Sequence, residues 1–349
     1  MYHIFLDTNL FVANFQFNSR DNAKLLKFSR RGDIHLYLTY TNYKEVLKKY
    51  RDTIAPTIKN MKTANAEFSK HSGSLLVEEI KKPKDYTEEY KVYLDELINK
   101  HNIKIINHTN DFSLKLIDKY FNNEKPFDIN KPSFQDAIIW ETICDFYNEE
   151  FDIDEDRIFF LTRNIKDFAK EEQDDSDINY VLHENLLKET PELFIYKDAT
   201  EFFKREEDDL HDYLAETFVL DEQGTFDIIK QEVRKSMEVD FEIENFLSQQ
   251  EFDAEYFTGW GEDSHSTLDD IVFVDSSKDT ENGYISIFGY LEYDVDFTIS
   301  TKNPLYDRDD DDPEYLREDG ANTRIQIGFN ATMLNNEITD FTLEEIDYI

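Results

Sequence analysis

The first eleven residues constrain the fold of this chain more than any other stretch. An apolar run, Ile-Phe-Leu at 4–6, ends at the polar sequence Asp7, Thr8 and Asn9. Such a run predicts a short buried strand with a carboxylate at its C-terminal end. In an α/β sheet, ligands bind in the crevice outside the carboxyl ends of the strands, so Asp7 can serve a site. A second interpretation stays open, in which Asp7 caps the following helix or makes an Asx-turn.

Alternating helix and strand patterns follow this opening stretch. Residues 21–31 have apolar side chains at helical spacing, and Gly32 is a helix stop. Residues 34–39 alternate as a strand does, and a helix that carries Glu45 in its first turns begins at about Asn42. The order β-α-β-α predicts an α/β fold with a parallel sheet.

Two further elements have strong patterns after a polar, mostly helical segment at 52–125. A helix that begins near residue 133 has Asp136 close to its N-terminal end. Residues 157–162 are an apolar strand, and the polar segment 163–168 follows it directly.

The second half of the chain has different patterns. Val181 and Leu182 can add a fourth strand, and residues 184–250 have helical apolar spacing. Farther on the apolar period changes to two, with Asp, Asn and Gly turns between the alternating stretches. We therefore predict three parts: an α/β domain at 1–185, a helical connector at 186–262 and an acidic β-rich domain at 263–349.

Length, cysteine content and hydropathy restrict the class of protein to which this chain can belong. A chain of 349 residues has room for two or three domains at ~150 residues each. The single cysteine, Cys144, excludes a disulfide within the chain and favours a cytosolic setting. No apolar run approaches the ~20 residues of a membrane span, and the N-terminus has no signal core. We expect a cytoplasmic protein with no membrane partner, for which a homo-oligomer is one option.

The formal net charge of −39 is unevenly distributed. Residues 1–150 contain 22 Lys and Arg against 22 Asp and Glu, so the whole acidic excess lies in residues 151–349. The first 62 residues contain 11 basic and 5 acidic side chains. A polyanion can dock there, because local rather than net charge sets its binding. The same basic residues are also compatible with a solvated surface.

Acids or amides stand at corresponding positions in the predicted βα elements. They are Asp7 after the first strand, Glu45 on the helix after the second, Asp136 near the start of a later helix, and Asn164 or Asp167 after the third strand. Convergence of these elements on one crevice would bring the side chains together. Oxygen ligands suit Mg²⁺ or Mn²⁺, which can activate water and stabilise the departing oxyanion of a phosphodiester. The 8 histidines are scattered without zinc spacing.

At these positions the sequence resembles the PIN-domain ribonucleases. The matching segments follow the family's order and lie at 5–9, 35–45, 133–141 and 160–168. The resemblance covers roughly residues 1–185 and includes a longer helical insert between the second and third segments. The chain looks most like the larger bacterial PIN-like proteins, which differ from the short toxin subunits of toxin–antitoxin pairs.

The resemblance implies a PIN-like parallel sheet flanked by helices and cleavage of single-stranded RNA. Asp7, Glu45 and Asp136 match the family's acids that bind Mg²⁺ or Mn²⁺. The family commonly has an acid at the fourth metal position, where this chain has Asn164. Asp167 can substitute for that acid or cap the next helix.

The resemblance also suggests residues on the substrate side of the site. Thr8 and Asn9 are similar to the family's polar support for the first acid. Thr162 and Arg163 follow the third strand and are expected to line the site or approach a phosphate.

Each acid has a simpler interpretation as well. Glu45 can be a surface acid paired with Lys48 or Lys49 at helical spacing. Asp136 can be a helix N-terminal acid favoured by the macrodipole. The acidic stretch 307–318 matches several calcium-loop positions but lacks the required Gly, so we interpret it as a solvated loop.

The sequence thus favours a divalent-metal-dependent endoribonuclease. The alternative is a catalytically silent PIN-like scaffold that binds RNA or protein, and a DNA-directed nuclease is a third option. The acidic C-terminal part is expected either to restrain the nuclease or to dock a basic protein partner. A toxin or host-defence role rests on analogy alone.

Overall fold

The computed structural model describes residues 1–77, 79–108, 112–128, 133–174, 177–235, 238–306 and 313–349. Its contacts divide the chain into two compact units, Met1–Leu210 and His211–Ile349. Positions 307–312 of the calcium-loop pattern lie outside the described residues.

The first unit consists of short strands and longer helices. Its elements in chain order are β1 (Tyr2–Leu6), α1 (Thr8–Ala13), α2 (Arg20–Arg31), β2 (His35–Thr39), α3 (Tyr40–Ser72), α4 (Pro83–Lys100), β3 (Lys104–Ile106), α5 (Ser113–Asn122), α6 (Phe134–Glu149), β4 (Arg157–Leu161), α7 (Ile165–Phe168), β5 (Ala169–Asp174), β6 (Asp177–Leu182), α8 (Glu184–Glu189), β7 (Leu193–Tyr196) and α9 (Ala199–Glu216). Helix α9 runs across the division between the units.

Five parallel strands form the central sheet in the order β3-β2-β1-β4-β7. All five residues of β1 are buried, and His3 pairs with His35 of β2 and Ile158 of β4. Continuous apolar runs of this kind are typical of parallel sheets, whose faces are covered. Since β2, β1 and β4 are neighbours, their C-terminal ends meet at one edge of the sheet.

The core of this unit joins the sheet to α6. Trp140 and Cys144, on the apolar side of α6, are buried against residues of β1, β2 and β4. Further buried members of the cluster are Phe5, Tyr37, Ile139, Ile143, Phe146, Ile158 and Phe160. This packing holds the N-terminal end of α6 in place relative to the sheet.

Three short elements differ from the sequence predictions. Helix α1 begins directly after Asp7, as the capping interpretation of Asp7 requires, although its range was not predicted. Strand β7 lies in a stretch that we expected to be helical, and it forms the edge of the parallel sheet beside β4. Val181 and Leu182 belong to β6, which pairs antiparallel with β5 in a separate hairpin instead of joining the main sheet.

Helices α3 and α4 pack against one another after β2. Helix α3 is 33 residues long and ends at Gly73, whose positive φ of 71° suits a left-handed C-cap. Its buried side chains lie mostly in its first half, and most residues between 51 and 72 are exposed.

In its described residues, the second unit contains the end of α9, two further helices and a long antiparallel sheet. Its elements are α10 (Glu222–Lys235), α11 (Glu238–Ser248), β8 (Phe252–Asp253), β9 (Thr258–Lys278), β10 (Ile285–Lys302), β11 (Tyr315–Leu334) and β12 (Glu337–Tyr348). The strands lie in the order β12-β11-β10-β9-β8.

Alternation along these strands separates an apolar face from a polar face. Leu291 of β10 pairs with Ile327 of β11 and Ile271 of β9, and all three pack against α10 and α11. On the opposite face Arg324 forms ion pairs with Asp269 at 2.5 Å and Glu292 at 3.4 Å. An antiparallel sheet with one packed face and one solvated face produces this pattern.

The predicted fold class is confirmed: a parallel sheet flanked by helices is followed by helices and then by a β-rich region. The proposed domain limits at 185 and 262 stay predictions. Among the described residues, no helix has the length and apolar character required to cross a membrane.

Candidate active site

Asp7 follows the central strand and begins helix α1. Its extended backbone (φ −82°, ψ 155°) makes it the N-cap, and its Oδ1 accepts a hydrogen bond of 2.7 Å from the backbone N–H of Thr8. The side chain is only 3% exposed. The two interpretations of Asp7 are therefore compatible, because one carboxylate caps the helix and faces the edge of the sheet.

Four uncharged groups donate hydrogen bonds to the carboxylate of Asp7. Oδ1 accepts from the Thr8 N–H and from Asn42 Nδ2 at 3.1 Å. Oδ2 accepts from Asn9 Nδ2 at 2.9 Å and from Thr162 Oγ1 at 2.6 Å. Each oxygen thus has two donors, which come from the ends of three neighbouring strands and fix the orientation of the carboxylate.

Asn42 belongs to this arrangement and was not predicted as a site residue. Its Nδ2 also donates to Thr8 Oγ1 at 3.1 Å, and its Oδ1 accepts from Thr39 Oγ1 at 2.5 Å. Thr39 Oγ1 in turn caps α3 by accepting from the Asn42 N–H. Asn42 precedes Glu45 by three residues, so the two share a helix face. That spacing was a signal present in the sequence.

Glu45 is connected to Asp7 through Thr8. Thr8 Oγ1 donates to Glu45 Oε2 at 3.1 Å, and the Glu45 side chain is 15% exposed. Lys49 Nζ lies 4.0 Å from Glu45 Oε1, so the surface pairing considered from the sequence is also present.

Asp136 approaches Asp7 from the first turn of α6. Ser133 Oγ caps this helix by accepting from the Asp136 N–H at 3.3 Å, and Asp136 is buried. Burial is the main reason why the pKa of Asp7 rises from 3.8 to about 6. The charges of Asp136 and Glu45 also raise this pKa, while hydrogen bonds from Thr162 and Thr8 lower it. The negative charges of Asp136 and Glu45 thus lie close enough to Asp7 to favour its protonated form.

Asn164 and Asp167 differ in how they are connected to Asp7. The backbone N–H of Asn164 donates to Thr162 Oγ1 at 3.0 Å, which connects the fourth predicted position to Asp7 through one hydroxyl. Asp167 lies within α7, and its N–H donates to the Asn164 carbonyl. Among the hydrogen bonds of the described residues, none joins Asp167 to Asp7.

A surface cleft opens beside α7. Its lining includes Arg163, Asn164, Lys166, Asp167, Tyr180 and Lys197. Arg163, expected to approach a phosphate, is exposed and lies 3.5 Å from Asp198. The cleft therefore combines three cations and two acids, Asp167 and Glu171, with one partly buried aromatic ring.

The donor set at this edge of the sheet has the chemistry of a hard-metal site. Asp7, Glu45 and Asp136 supply carboxylate oxygens, which Mg²⁺ and Mn²⁺ prefer. Within the part of the chain that the structure describes, no three His, Cys, Asp or Glu side chains are already grouped as metal ligands. The hydrogen bonds of Asp7 provide a physical reason, because both of its oxygens are directed at protein donors.

Comparison with known proteins gives one match. A family model for the PIN domain matches residues 4–168, which include every element from β1 to α7. PIN domains are typically nucleases and usually use divalent metal ions. No curated protein sequence and no solved structure matches the chain.

Proposed function

Residues 4–168 are a PIN domain, and from this premise we propose that the chain is a Mg²⁺- or Mn²⁺-dependent endoribonuclease that cleaves single-stranded RNA. The observation that carries the proposal is the coupling of Asp7, Glu45 and Asp136 at one edge of the sheet. A buried carboxylate surrounded by acids and uncharged donors is costly unless a cation neutralises it.

Each acid has a defined role in this proposal. Asp7 and Asp136 hold the metal ion, and Glu45 either binds it or orients the attacking water. Asn164 or Asp167 completes the site. With a pKa of about 6, Asp7 is mostly ionised at neutral pH and can act as a ligand. When bound, the metal ion supplies a nucleophilic hydroxide and stabilises charge on the leaving oxygen.

Uncharged residues orient the acids, and basic residues face the substrate. Asn9, Asn42 and Thr162 hold the Asp7 carboxylate through direct hydrogen bonds. Thr8 bridges Asp7 and Glu45. On the substrate side, Arg163 and the neighbouring lysines of the α7 cleft have the charge required to attract phosphates.

A catalytically silent scaffold is the second candidate. Asn164 is neutral where the family commonly has an acid, and the oxygens of Asp7 already accept four hydrogen bonds. Under this alternative the same edge binds RNA or protein without cutting. The exchange Asn164→Asp separates the two candidates further, because it should increase cleavage only if the site binds metal.

The test uses the purified full-length protein and a labelled single-stranded RNA, with Mg²⁺ or Mn²⁺ and with EDTA. We expect cleavage that requires the metal ion, and a loss of roughly 10³-fold in the Asp7→Asn protein. Asp118→Asn, an exposed change of the same kind, is the matched control. Undiminished cleavage by a folded Asp7→Asn protein contradicts the assignment, and absence of metal-dependent cleavage by the unmodified protein favours the scaffold.

We also propose a role for the acidic C-terminal part as a regulator that restrains cleavage or docks a basic protein. Its support is the acidic excess of residues 151–349. Cytoplasmic location, self-association and a toxin or defence role stay predictions. Measuring kcat at saturating RNA across a range of salt concentrations tests the restraint, because the effect of salt on RNA binding is then removed and weaker electrostatic repulsion should increase kcat.

A further inference from the structure

Helix α3 carries a stripe of basic side chains along one exposed face, which we call the α3 stripe. The six residues are separated by three, four, seven or eight positions, the spacing that keeps side chains on one side of a helix. At 3.6 residues per turn they fall within an arc of about 100°. They are Lys44, Lys48, Arg51, Lys59, Lys62 and Lys70, and all are exposed.

The packing side of α3 lies on a separate arc. Its buried residues are Asn42, Tyr43, Val46 and Ile58. From Lys44 to Lys70 the stripe corresponds to about 39 Å of regular helix, at 1.5 Å per residue, with Pro56 between its proximal and distal halves. A basic surface of this length is much larger than a single anion requires.

Most side chains of the stripe form no ion pair with another described residue. Across the described ranges, no ion pair involves Lys48, Lys59, Lys62 or Lys70, and Arg51 pairs only with the exposed Asp52 at 3.5 Å. The neighbouring helix α4 and the segment before it differ, because Lys81, Lys84 and Lys91 each pair with a nearby acid.

Unpaired like charges at helical spacing carry a cost for the helix. Each such pair at i,i+4 or i,i+3 destabilises an isolated helix by a few tenths of a kcal/mol. A mixture of acids and bases, as on α4, avoids that cost. An anionic partner of matching length would neutralise the stripe and offset the repulsion.

The stripe is continuous with the candidate active site. Lys44 directly precedes Glu45, and Lys48 follows it by three residues, so the proximal end of the stripe lies within one turn of Glu45. Lys44 is also held over the rings of Tyr40 and Tyr43, at 5.0 and 5.8 Å from their centroids. A strand whose phosphate lies at Asp7 can therefore continue along the exposed face of α3.

We propose that the α3 stripe is a phosphate track, which binds the backbone of a single-stranded RNA beyond the site of cleavage. This inference rests on the proposed nuclease function, because that function places the cleaved phosphate at Asp7, next to the proximal end of the stripe. Lysine acts as a point charge and reads no base, so the track is independent of sequence. Its length suits a strand segment within the ~4–16 nucleotides that single-strand-binding grooves occupy.

The test compares two triple charge reversals in the full-length protein. The first changes the distal end of the stripe, Lys59→Glu, Lys62→Glu and Lys70→Glu, about 20 Å or more along the helix from Glu45. The matched control changes Lys84, Lys235 and Lys302 to Glu. These lysines are exposed, lie on other elements and give the same change in net charge.

Binding is measured first, by fluorescence anisotropy with a labelled 25-nucleotide RNA and a 5-nucleotide RNA in EDTA. We expect the stripe variant to lose at least tenfold in affinity for the long strand and little for the short one. The slope of log affinity against log salt should fall by about 2, at ~0.7 for each lost phosphate contact. A single-stranded DNA of the same sequence should behave like the long RNA, because the contacts are to phosphates.

Cleavage is measured next with the same two RNAs and the divalent ion. The stripe variant should raise KM for the long RNA and leave kcat unchanged for the short RNA. Equal long-strand affinity and salt slope in the stripe variant and the control overturn the track. Stripe-dependent binding without cleavage by the unmodified protein supports the track and overturns the nuclease proposal instead.

Discussion

Helix α6 contributes to two buried charge clusters that differ in their counter-charges. Near its N-terminal end, Asp136 acts on Asp7, whose four hydrogen-bond donors are all uncharged. In its middle, Glu141 Oε1 accepts from Lys119 Nζ at 2.6 Å and Oε2 lies 2.5 Å from Lys115 Nζ. The second cluster contains its own cations, whereas no ion pair among the described residues involves the carboxylate of Asp7.

The second cluster is closed by Glu189 of α8. This carboxylate lies 2.8 Å from Lys119 and 3.2 Å from Lys115, and it also accepts from Trp140 Nε1 at 2.8 Å. Two lysines and two glutamates therefore balance one another and join α5, α6 and α8. Such a ring orients the helices, because each carboxylate contacts both ammonium groups.

The pKa values of Asp7 and Glu189 are shifted in opposite directions. For Glu189, burial tends to raise the pKa, but hydrogen bonds from Lys119 and Trp140 outweigh it and the pKa is lowered. For Asp7, burial dominates and the pKa rises to about 6. Burial of a carboxylate alone therefore does not identify a metal-binding site. A buried carboxylate such as Asp7, whose four hydrogen-bond donors are uncharged, is the one suited to an external cation.

We expect the largest change for Asp136 of α6, whose substitution should affect activity and not stability. Asp136→Asn should reduce cleavage of single-stranded RNA by roughly 10³-fold, because it removes a charge at the metal position. The melting temperature should change little. Glu149→Gln, an exposed change on the same helix, is the control for both measurements. An Asp136→Asn protein with full activity would place Asp136 among structural acids.

The reverse outcome is expected for the paired cluster. Glu141→Gln leaves the buried Lys119 and the partly exposed Lys115 with one carboxylate fewer, so the free energy of unfolding should fall by about 3 kcal/mol, the lower end for a broken buried pair. Urea titration measures this loss. At a temperature where the variant remains folded, its kcat should match that of the unmodified protein, and a specific loss of kcat would break the distinction between the clusters.

The pH dependence of stability provides a third test, performed in EDTA. Between about pH 4 and 6, folded Asp7 binds a proton that the unfolded chain does not, because its folded pKa of about 6 exceeds 3.8. Stability should therefore fall by about 3 kcal/mol as the pH rises through that window. Asp7→Asn should abolish this contribution.

Glu189 should contribute in the opposite direction. Its lowered pKa means that its stabilisation is present above the unfolded pKa of 4.5 and is lost as the pH falls through the folded value. Glu189→Gln should thus reduce the acid sensitivity, as measured by urea unfolding from pH 5 to pH 3. If Asp7→Asn and Glu189→Gln changed the pH dependence of stability in the same way, the opposite pKa shifts of Asp7 and Glu189 would be contradicted.

The smallest effect concerns Asn42 as a positioning residue. Asn42→Ala removes one donor from Asp7 and one from Thr8, which should lower kcat about tenfold and leave KM for RNA unchanged. Loss of a donor to the carboxylate should also move the acidic limb of the pH–rate profile to higher pH. Asn60→Ala, on the exposed side of α3, is the control. If the pH–rate profile did not shift, the side chain of Asn42 would only support the Thr39 cap of α3.

Several parts of the fold were accessible from local sequence patterns. The apolar runs of β1 and β4 and the period of two in the C-terminal strands are strong signals because they depend on neighbouring residues only. Strand β7 was missed because four residues, Leu193–Tyr196, between helical patterns do not by themselves distinguish a strand from a helix. Its identity depends on the exposed edge of β4, which lies more than thirty residues earlier in the chain.

The same division holds for the candidate site. The sequence alone determined which oxygen-bearing side chains follow the strands, and the parallel order made their convergence predictable for Asp7, Glu45 and Asp136. Tertiary structure decided that Asn42 would hold Asp7 and that Glu141 would find two lysines. The physical reason is that strand and helix periods are local, whereas the partner of a buried charge is set by which elements pack together.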